Sequence, residues 1–413
     1  MLTKHTIRTF AALAASLVLV ACGGGGGDPT GSATATVAGV VKDAAGAVIA
    51  GASVSVGALT ATTGADGRFA LPGVPVGSAL VVASAPDFDP RSQTVTLVAG
   101  SNTLDVVLAP ADKGEWGTKA NLLANNSEYA LAEAGGKLYV LGGYPPQMGP
   151  NRTSRTVQVY DVAADRWELG PPLPEPNNHG MAAAVGGRVY LLGGQVTDDQ
   201  NGLTAVNTVW ELDPARGTWV EKAPMPTARS GGVAVALGGK IYVAGGRVPR
   251  GNDFAAYDPA ADAWEVLPDL PSQRNHVAGA AIGGRVHVVG GRLGNGLSPV
   301  KSDAHEVYDP AARRWTAAAP MLRGRSGMNG AVARGCFHVW GGEAPTGMTP
   351  DHDYYDPRAD RWASLRAMPI PIHGVVGAAY VGGLVWVTGG GTNVGGASGS
   401  LHNQTYKPAV SCE

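Results

Sequence analysis

The sequence predicts an all-β protein in which a small β-sandwich precedes a larger six-bladed β-propeller. Three observations support this prediction. Glycine is very frequent, at 61 of 413 residues, and phenylalanine is rare, at 5, which is typical of short strands and tight turns rather than helices. An apolar stretch followed by a pair of glycines recurs six times, and a tryptophan recurs five times at a fixed distance after an aspartate.

The repeats define the propeller. The six glycine pairs recur at intervals of 45 to 52 residues, and the first five are followed by a variable loop, a Tyr or Leu joined to Asp, and a Trp six residues beyond that Asp. Because one blade cannot bury both of its faces, such repeats must stack around an axis. The five units are Tyr160-Asp161 with Trp167, Leu212-Asp213 with Trp219, Tyr257-Asp258 with Trp264, Tyr308-Asp309 with Trp315, and Tyr355-Asp356 with Trp362.

The sixth repeat is completed from the other end of the propeller. Tyr406 matches the repeated tyrosine, but no tryptophan follows it. Trp116 precedes Asn126 by ten residues, which is also the distance from Trp219 to Arg229. We therefore expect Trp116 to supply the last strand of the sixth blade, so that the ring closes and leaves no exposed sheet edge.

This combination of apolar strand, glycine pair, Tyr-Asp-Pro and tryptophan resembles the Kelch repeat over Glu115 to Pro408. The resemblance implies a Kelch-type propeller over residues 115–413, whose surface loops carry its function.

Residues 33–109 show short runs of alternating apolar residues, broken by Gly, Asp and Pro, which predict a β-sandwich. The segment resembles the carboxypeptidase regulatory-like family, with matches at Gly39, Gly51, the Asp66-Gly67-Arg68-Phe69 turn and Gly77. We interpret it as a rigid spacer. Relatives of this fold include carbohydrate-binding sandwiches, so sugar binding is the alternative, although no cluster of aromatics appears that could stack on a sugar ring.

The first 22 residues are expected to be a targeting segment. Lys4 and Arg8 precede a short apolar stretch ending in Leu19-Val20-Ala21-Cys22, which resembles the lipobox of bacterial lipoproteins and implies a lipid on Cys22. Residues 23–32 would form a flexible tether. Gly23, rather than Asp, favours the outer membrane over the inner membrane. Ordinary secretion with an incidental Cys22 is the alternative.

A ligand site is predicted on one rim of the propeller. Six residues each lie sixteen positions before a glycine pair, and others lie two positions after one of these six. A further group directly follows the glycine pairs. The loops that carry these residues should meet at one mouth of the central channel. Kelch propellers that bind acidic peptides have arginines at equivalent places. We therefore expect five converging arginines to bind an anionic glycan or peptide. The predicted ligand-binding residues are Arg229, Arg247, Arg274, Arg292, Arg325, Asn126, Asn177, Tyr144, His276 and His373.

The alternative is that these are ordinary Kelch loop residues, in which case the arginines pair with Glu128, Glu343 or loop carbonyls. With a formal net charge of −2 and no basic run, the chain is not expected to bind nucleic acid. The membrane would be reached through the lipid anchor alone.

Binding is favoured over catalysis, and no cofactor is expected. The Kelch fold hosts copper radical oxidases, but their Cys-modified tyrosine and further C-terminal domain have no counterpart in this sequence. It also hosts periplasmic sialic acid mutarotases, which use acid/base groups and arginine on an acidic sugar. Glu128 and His179, on adjacent blades, are weak candidates for such a pair. No metal site is predicted, because His179, His276 and His373 would have to converge across a wide channel.

Two cysteines remain outside the targeting segment. Cys336 begins a strand of the fifth repeat, and Cys412 lies in the tail beyond the sixth. In an oxidising compartment they either form a disulfide that holds the C-terminus at the ring closure or remain as two free thiols.

Overall fold

The computed structural model describes residues 33–43, 46–85, 88–108, 114–145, 153–198, 204–247, 251–294, 300–395 and 398–413. The targeting segment, the tether and Cys22 therefore lie outside the described residues. Over the described ranges the chain forms strands and turns, and none of these residues lies in a helix. Consequently no described helix has the length and hydrophobicity required to cross a bilayer. The chain divides into two units, Met1–Ala109 and Pro110–Glu413.

The described residues of the first unit form eight strands in two four-stranded sheets. In one sheet β1 pairs with β4, β7 and β8, and in the other the order is β3-β2-β5-β6. Val37, Val54, Phe69 and Leu71 are buried in its core, in agreement with the alternating pattern. The strands are β1 (Thr34–Asp43), β2 (Ser53–Val56), β3 (Leu59–Thr62), β4 (Arg68–Pro75), β5 (Gly77–Ser84), β6 (Arg91–Leu97), β7 (Gly100–Thr103) and β8 (Val106–Leu108).

The second unit is a propeller of six four-stranded blades. In each of the first five blades, four main strands follow one another from the channel outward. These are β10 (Tyr129–Ala134), β11 (Lys137–Leu141), β12 (Val157–Asp161) and β13 (Arg166–Leu169); β14 (Met181–Val185), β15 (Arg188–Leu192), β16 (Val209–Asp213) and β17 (Thr218–Lys222); β18 (Val233–Leu237), β19 (Lys240–Ala244), β20 (Phe254–Asp258) and β21 (Ala263–Val266); β22 (Ala278–Ile282), β23 (Arg285–Val289), β24 (His305–Asp309) and β25 (Arg314–Ala317); and β26 (Asn329–Ala333), β27 (Cys336–Trp340), β30 (His352–Asp356) and β31 (Arg361–Ser364).

The sixth blade is assembled from both ends of the propeller. Its order is β33 (Ala379–Val381), β34 (Leu384–Thr388), β35 (Asn403–Lys407) and β9 (Glu115–Lys119). Tyr406 lies opposite Trp116 in the register of β35 and β9, and their rings are 5.1 Å apart. The predicted closure by an N-terminal strand is confirmed. The remaining strands are short: β28 (Glu343–Ala344) pairs with β29 (Gly347–Met348), and β32 (Val375–Val376) lies beside β10.

The repeated Tyr-Asp and Trp residues connect neighbouring blades. In the first blade, Asp161 Oδ1 accepts hydrogen bonds from the turn amides of residues 163 and 164. The Tyr160 hydroxyl donates to Asp165, and Trp167 Nε1 donates 2.8 Å to the carbonyl of Ala120, which follows the outer strand of the sixth blade. The fixed offset between Asp and Trp therefore reflects one turn and one contact between blades.

A disulfide joins the tail to the fifth blade. Cys336 and Cys412 are bonded, with their Cα atoms 5.0 Å apart and a sequence separation of 76. Both are buried. The Arg334 guanidinium also donates 3.0 Å to the carbonyl of Ala409, so the segment after β35 is held against the neighbouring blade.

Candidate functional site

A closed ring of backbone hydrogen bonds surrounds the propeller axis at one end of the channel. Each blade contributes one residue with a positive φ angle, and its amide donates to the carbonyl of the equivalent residue in the neighbouring blade. We call these residues the axial ring. They are Glu128, His179, Gly231, His276, Gly327 and Gly374. Left-handed backbone costs a residue other than glycine about 1 kcal/mol, so the fold itself favours glycine throughout the ring.

The sixth blade corrects the predicted alignment at His373. Gly374 lies fifteen residues before its glycine pair, whereas the other axial-ring residues lie fourteen before theirs. The sixth blade therefore contains one additional residue. As a result, Ile372 is the equivalent of Arg229, Arg274 and Arg325, and His373 takes the position next to the axial ring.

The structure places Arg229, Arg274 and Arg325 away from the rim. All three are fully buried. Arg229 donates to the carbonyls of Val243 and Asp253, at 3.2 and 2.6 Å. Burial lowers its pKa to about 10, opposed by the charges of Asp253 and Asp269, and this leaves it protonated at neutral pH.

The other two buried arginines bind carboxylates of their own blades. Arg274 contacts Glu306 at 2.9 Å, and Arg325 contacts Asp353 at 2.6 Å and the carbonyl of Asp351 at 2.9 Å. The expectation that these arginines form an anion-binding rim is therefore wrong. The side chains turn into their own blades, where they satisfy buried carbonyls and carboxylates.

Asn126 and Asn177 have the same structural role. Their side-chain amides donate to the carbonyls of Gly142 and Gly193, the first glycines of their own pairs. A Cβ on Gly193 would lie 2.4 Å from the carbonyl oxygen of Arg229. The glycine pairs thus allow close packing of backbone between blades.

A second set of predicted residues does converge. Side chains from the axial ring meet side chains that directly follow the glycine pairs, and all of them are buried. We call this set the axial cluster: Glu128, His179, His276, His373, Arg247, Arg292 and Glu343.

Direct contacts connect the whole axial cluster. Glu128 Oε2 lies 3.1 Å from His179 Nε2. Arg247 Nη2 lies 3.2 Å from His179 Nε2 and 3.3 Å from His276 Nε2. Arg292 bridges His276 Nε2, at 2.9 Å, and Glu343 Oε2, at 3.0 Å.

His373 and three neighbours surround these contacts. His373 Nε2 lies 3.5 Å from both Glu128 Oε1 and Glu343 Oε1. Lys301, which the sequence analysis did not identify, reaches Glu343 at 3.4 Å. The ring of Tyr144 packs edge-on against His179 at 5.6 Å. Burial, together with the charge of Asp198, raises the pKa of the Tyr144 hydroxyl.

Two asparagines orient the histidines of the axial ring. Asn178 Oδ1 lies 2.6 Å from His179 Nδ1, and Asn275 Oδ1 lies 2.6 Å from His276 Nδ1. The Asn178 amide nitrogen donates to Thr153 and to the carbonyl of Gln195, so its oxygen is the acceptor for the imidazole. This network assigns the proton to Nδ1 in both rings and leaves both Nε2 lone pairs facing the axis.

The protonation states follow from burial and from these neighbours. Burial lowers the pKa of His179 to about 3, although Glu128 raises it. Burial, Arg292 and Arg247 also lower the pKa of His276 well below its ordinary value. Burial raises the pKa of Glu128, but the histidines and Arg247 outweigh it and hold that pKa well below the usual range. At neutral pH a Glu128 carboxylate therefore faces two neutral imidazoles.

His373 behaves differently from the other two histidines. Burial lowers its pKa, but the hydrogen bond and charge of Glu128 and the charge of Glu343 outweigh burial and raise it above the ordinary value. His373 is thus the histidine of the axial cluster that becomes charged most readily.

The other end of the channel has a different chemistry. A cavity of about 290 Å³ is lined by the inner strands of all six blades, chiefly by alanine and glycine, with Glu133 and Tyr380 among the few larger side chains. Of the two ends, the axial-ring end is the one where ionisable side chains converge. We therefore take that end as the candidate functional site.

Comparisons with known proteins agree with this architecture. Residues 128–330 match the KLHDC2/KLHL20/DRC7 Kelch-repeats domain, and residues 36–109 match the carboxypeptidase regulatory-like domain. The chain is 33% identical to Kelch-like protein terF of Aspergillus terreus over 144 residues, which is 33% of this chain and 31% of that protein. It is 40% identical to human Kelch-like protein 34 over 78 residues, 18% of this chain and 12% of that protein.

A solved structure supports the fold. The structure of YjhT matches 68% of this chain and 95% of its own chain, with a TM-score of 0.57 and 15% sequence identity. The similarity to the two curated relatives spans less than a third of their lengths. The chain thus carries a carboxypeptidase regulatory-like domain and a Kelch-repeat domain. Kelch repeats support a protein-interaction module as its broad class of function.

Proposed function

We propose that this chain, which combines a carboxypeptidase regulatory-like domain with a Kelch-repeat propeller, is an envelope-anchored interaction module. It binds a carboxylate-bearing ligand, an acidic glycan or an acidic peptide, at the axial-ring end of the propeller. The observation that carries the proposal is the convergence of Arg247 and Arg292, from different blades, on the same buried histidine.

Guanidinium groups suit this role. Each offers a planar set of donors that matches a carboxylate, and such charge-assisted hydrogen bonds contribute about 1.5–3 kcal/mol each. In the ligand-free protein, Nη2 of Arg247 contacts the imidazole of His179, and Nη2 of Arg292 contacts that of His276. A ligand carboxylate is a stronger acceptor and would replace those contacts.

The charges of the site define the kind of binding. Arg247, Arg292 and Lys301 are accompanied by the carboxylates of Glu128 and Glu343. A ligand would therefore bind by exchanging partners within a nearly balanced set of charges rather than by long-range attraction. Its affinity should depend only weakly on salt, because buried pairs are screened much less than exposed ones.

The test uses the full chain on a glycan and peptide array, followed by calorimetric titration of the best ligand. Arg247→Gln and Arg292→Gln should each weaken binding at least tenfold, since one charge-assisted hydrogen bond is lost. Arg361→Gln is the matched control, because Arg361 is exposed on the outer strand of the fifth blade. Equal affinity in the double variant Arg247→Gln/Arg292→Gln would place the ligand elsewhere.

A second candidate function is epimerisation of an acidic sugar. It is favoured by the buried contact of 3.1 Å between Glu128 and His179, because a carboxylate and a neutral imidazole beside two arginines could move a proton to and from a bound sugar. The test is the rate at which the anomers of sialic acid interconvert, followed by proton NMR. No acceleration over buffer, or equal acceleration by Glu128→Gln, would exclude this function.

Attachment to the envelope is the remaining part of the proposal. It is supported by the lipobox-like Leu19-Val20-Ala21-Cys22 of the sequence. Labelled palmitate should be incorporated into the chain expressed in a bacterium, and Cys22→Ser should abolish both the label and recovery in the membrane fraction. Labelling that persists in Cys22→Ser would contradict the anchor.

A further inference from the structure

The axial ring carries side chains at only three of its six positions. Glu128, His179 and His276 have φ angles of 53°, 50° and 55°, a backbone conformation that residues other than glycine seldom adopt. At the other three positions the ring has glycine. Glycine would adopt this backbone conformation without strain, yet three positions keep a strained residue. Such retained strain indicates function.

The glycines of the ring leave room for these side chains. A Cβ on Gly374 would lie 2.6 Å from the Glu128 carboxylate, and a Cβ on Gly231 would lie 3.2 Å from the His276 ring. A side chain at position 374 would therefore collide with Glu128, and one at position 231 would crowd His276, whereas a Cβ on Gly327 would make only ordinary contacts. The ring has space for one carboxylate and two imidazoles directed towards its centre.

The three side chains bring potential metal-ligand atoms close together. One ligand atom from each lies within 4.8 Å of the other two. Asn178 and Asn275 hold the Nδ1 atoms of the two histidines at 2.6 Å, which leaves an unprotonated Nε2 on each ring as the potential metal ligand. Histidines that bind metals are oriented in this way, because a second polar group holds the nitrogen that is not a ligand.

An acceptor in this group lacks a proton donor. Glu128 Oε2 is buried and accepts no hydrogen bond from the described residues, yet it lies 3.1 Å from His179 Nε2. Because Nδ1 of His179 holds the proton, both of these atoms are acceptors. Two acceptors at this distance are stabilised by a positive charge beside them, which Arg247 supplies in the metal-free protein, 3.2 Å from His179 Nε2, and which a metal ion would supply in its place.

We propose that Glu128, His179 and His276 bind a divalent transition-metal ion of the zinc type. Two imidazole nitrogens and one carboxylate oxygen are a ligand set that zinc accepts, with a fourth position open for water or a ligand. Bonds of about 2.0–2.2 Å require donor atoms about 3.5 Å apart. The His276 ring must therefore move inward by about 1 Å, which a side-chain rotation provides.

Two arginines compete with the metal ion for the same lone pairs. Arg247 would give up its contacts with the two Nε2 atoms and keep Gln195 Oε1, at 3.2 Å from its Nη1. Arg292 would give up His276 and keep Glu343, at 3.0 Å. Both arginines thus retain an acceptor. Their charge lowers the affinity for a cation, so Arg247→Gln should bind the metal more tightly than the natural protein does.

The experiment is a titration of the chelator-treated full chain, prepared without a polyhistidine tag, with Co²⁺ followed by visible absorption. The natural protein should bind one equivalent of Co²⁺ with the spectrum of a four- or five-coordinate ion, and Zn²⁺ should displace it. Glu128→Gly and His179→Gly should each weaken binding at least a hundredfold. Glycine occupies three ring positions already, so these variants are expected to fold.

Controls separate a metal site from surface binding and from misfolding. His402→Gln removes an exposed histidine and should leave the titration unchanged, while tryptophan fluorescence in urea should show that the glycine variants remain folded. Asn178→Ala should weaken binding by about tenfold to a hundredfold, since it removes the group that orients His179. The absence of a saturable Co²⁺ spectrum in the natural protein, or equal affinity in Glu128→Gly and His179→Gly, would overturn the proposal.

Discussion

Acidification should destabilise the propeller through a pair of buried histidines in its fourth blade. The Nδ1 atom of His287 lies 2.9 Å from Nε2 of His305, and Nδ1 of His305 lies 3.2 Å from the carbonyl of Ala319. Both rings are buried. In this chain of hydrogen bonds each ring carries a single proton, on Nδ1, so adding a proton to Nε2 of His305 breaks the contact between the rings.

The magnitude follows from the two pKa values. Burial, with the charges of His305 and Arg285, lowers the pKa of His287 to about 3, and burial lowers the pKa of His305 to about 4 although Ala319 and Asp360 raise it. Because both folded pKa values are depressed below the unfolded value of about 6.5, their stabilisation is present above that pH and is lost as pH falls. From about pH 7.5 to about pH 5, each histidine removes about 2 kcal/mol from the free energy of unfolding.

The assay is urea unfolding at a series of pH values, followed by tryptophan fluorescence. All nine tryptophans lie between Trp116 and Trp386, so the signal reports the propeller alone. The comparison variant is His287→Tyr/His305→Phe, which introduces the pair that Tyr242 and Phe254 form at the same register in the third blade. Its loss of stability on acidification should be smaller than that of the natural protein by about 4 kcal/mol. Equal losses in the two proteins would refute the reasoning.

Three further perturbations test the ring. Cys412→Ser should lower the free energy of unfolding by about 4 kcal/mol, since the disulfide with Cys336 closes a loop of 76 residues; urea unfolding measures this, and recovery of both cysteines as free thiols would contradict the bond. Deleting residues 115–122 should expose the edge of β35 and cause aggregation, whereas a monomer with an unchanged melting temperature would exclude closure by this strand. Arg325→Gln leaves Asp353 buried without its ion pair and should cost about 3–5 kcal/mol in urea unfolding; a change below about 0.5 kcal/mol, as expected for a surface site, would show that this arginine is not structural.

The architecture of the propeller was readable from the sequence because its determinants are local and repeated. The offset from Asp161 to Trp167 reflects one turn and one hydrogen bond, and any blade of this kind needs both. Closure could be inferred for a related reason: Trp116 lies at the distance from the next repeat at which other blades have their tryptophan. The two cysteines could be identified, but only the tertiary structure shows that they meet.

The direction of a side chain could not be predicted from the sequence. An alignment of the repeats places a residue on a strand, but it does not show which neighbour the side chain contacts. Arg229 and Arg247 are both loop arginines in sequence, yet the first turns into its own blade and the second reaches the axis. Because the sixth blade contains one additional residue, His373 lies one position beyond the equivalent of Arg229. Counting back from the glycine pair did not detect this difference.

The sequence by itself thus determined the number of blades, their closure and the end of the channel where polar residues gather. Only the tertiary structure decided which of those residues meet. The convergence of Glu128, His179 and His276 depends on a closed ring of backbone hydrogen bonds that draws three distant segments to one axis. The geometry of such a ring belongs to all six blades together, and for that reason no single repeat encodes it.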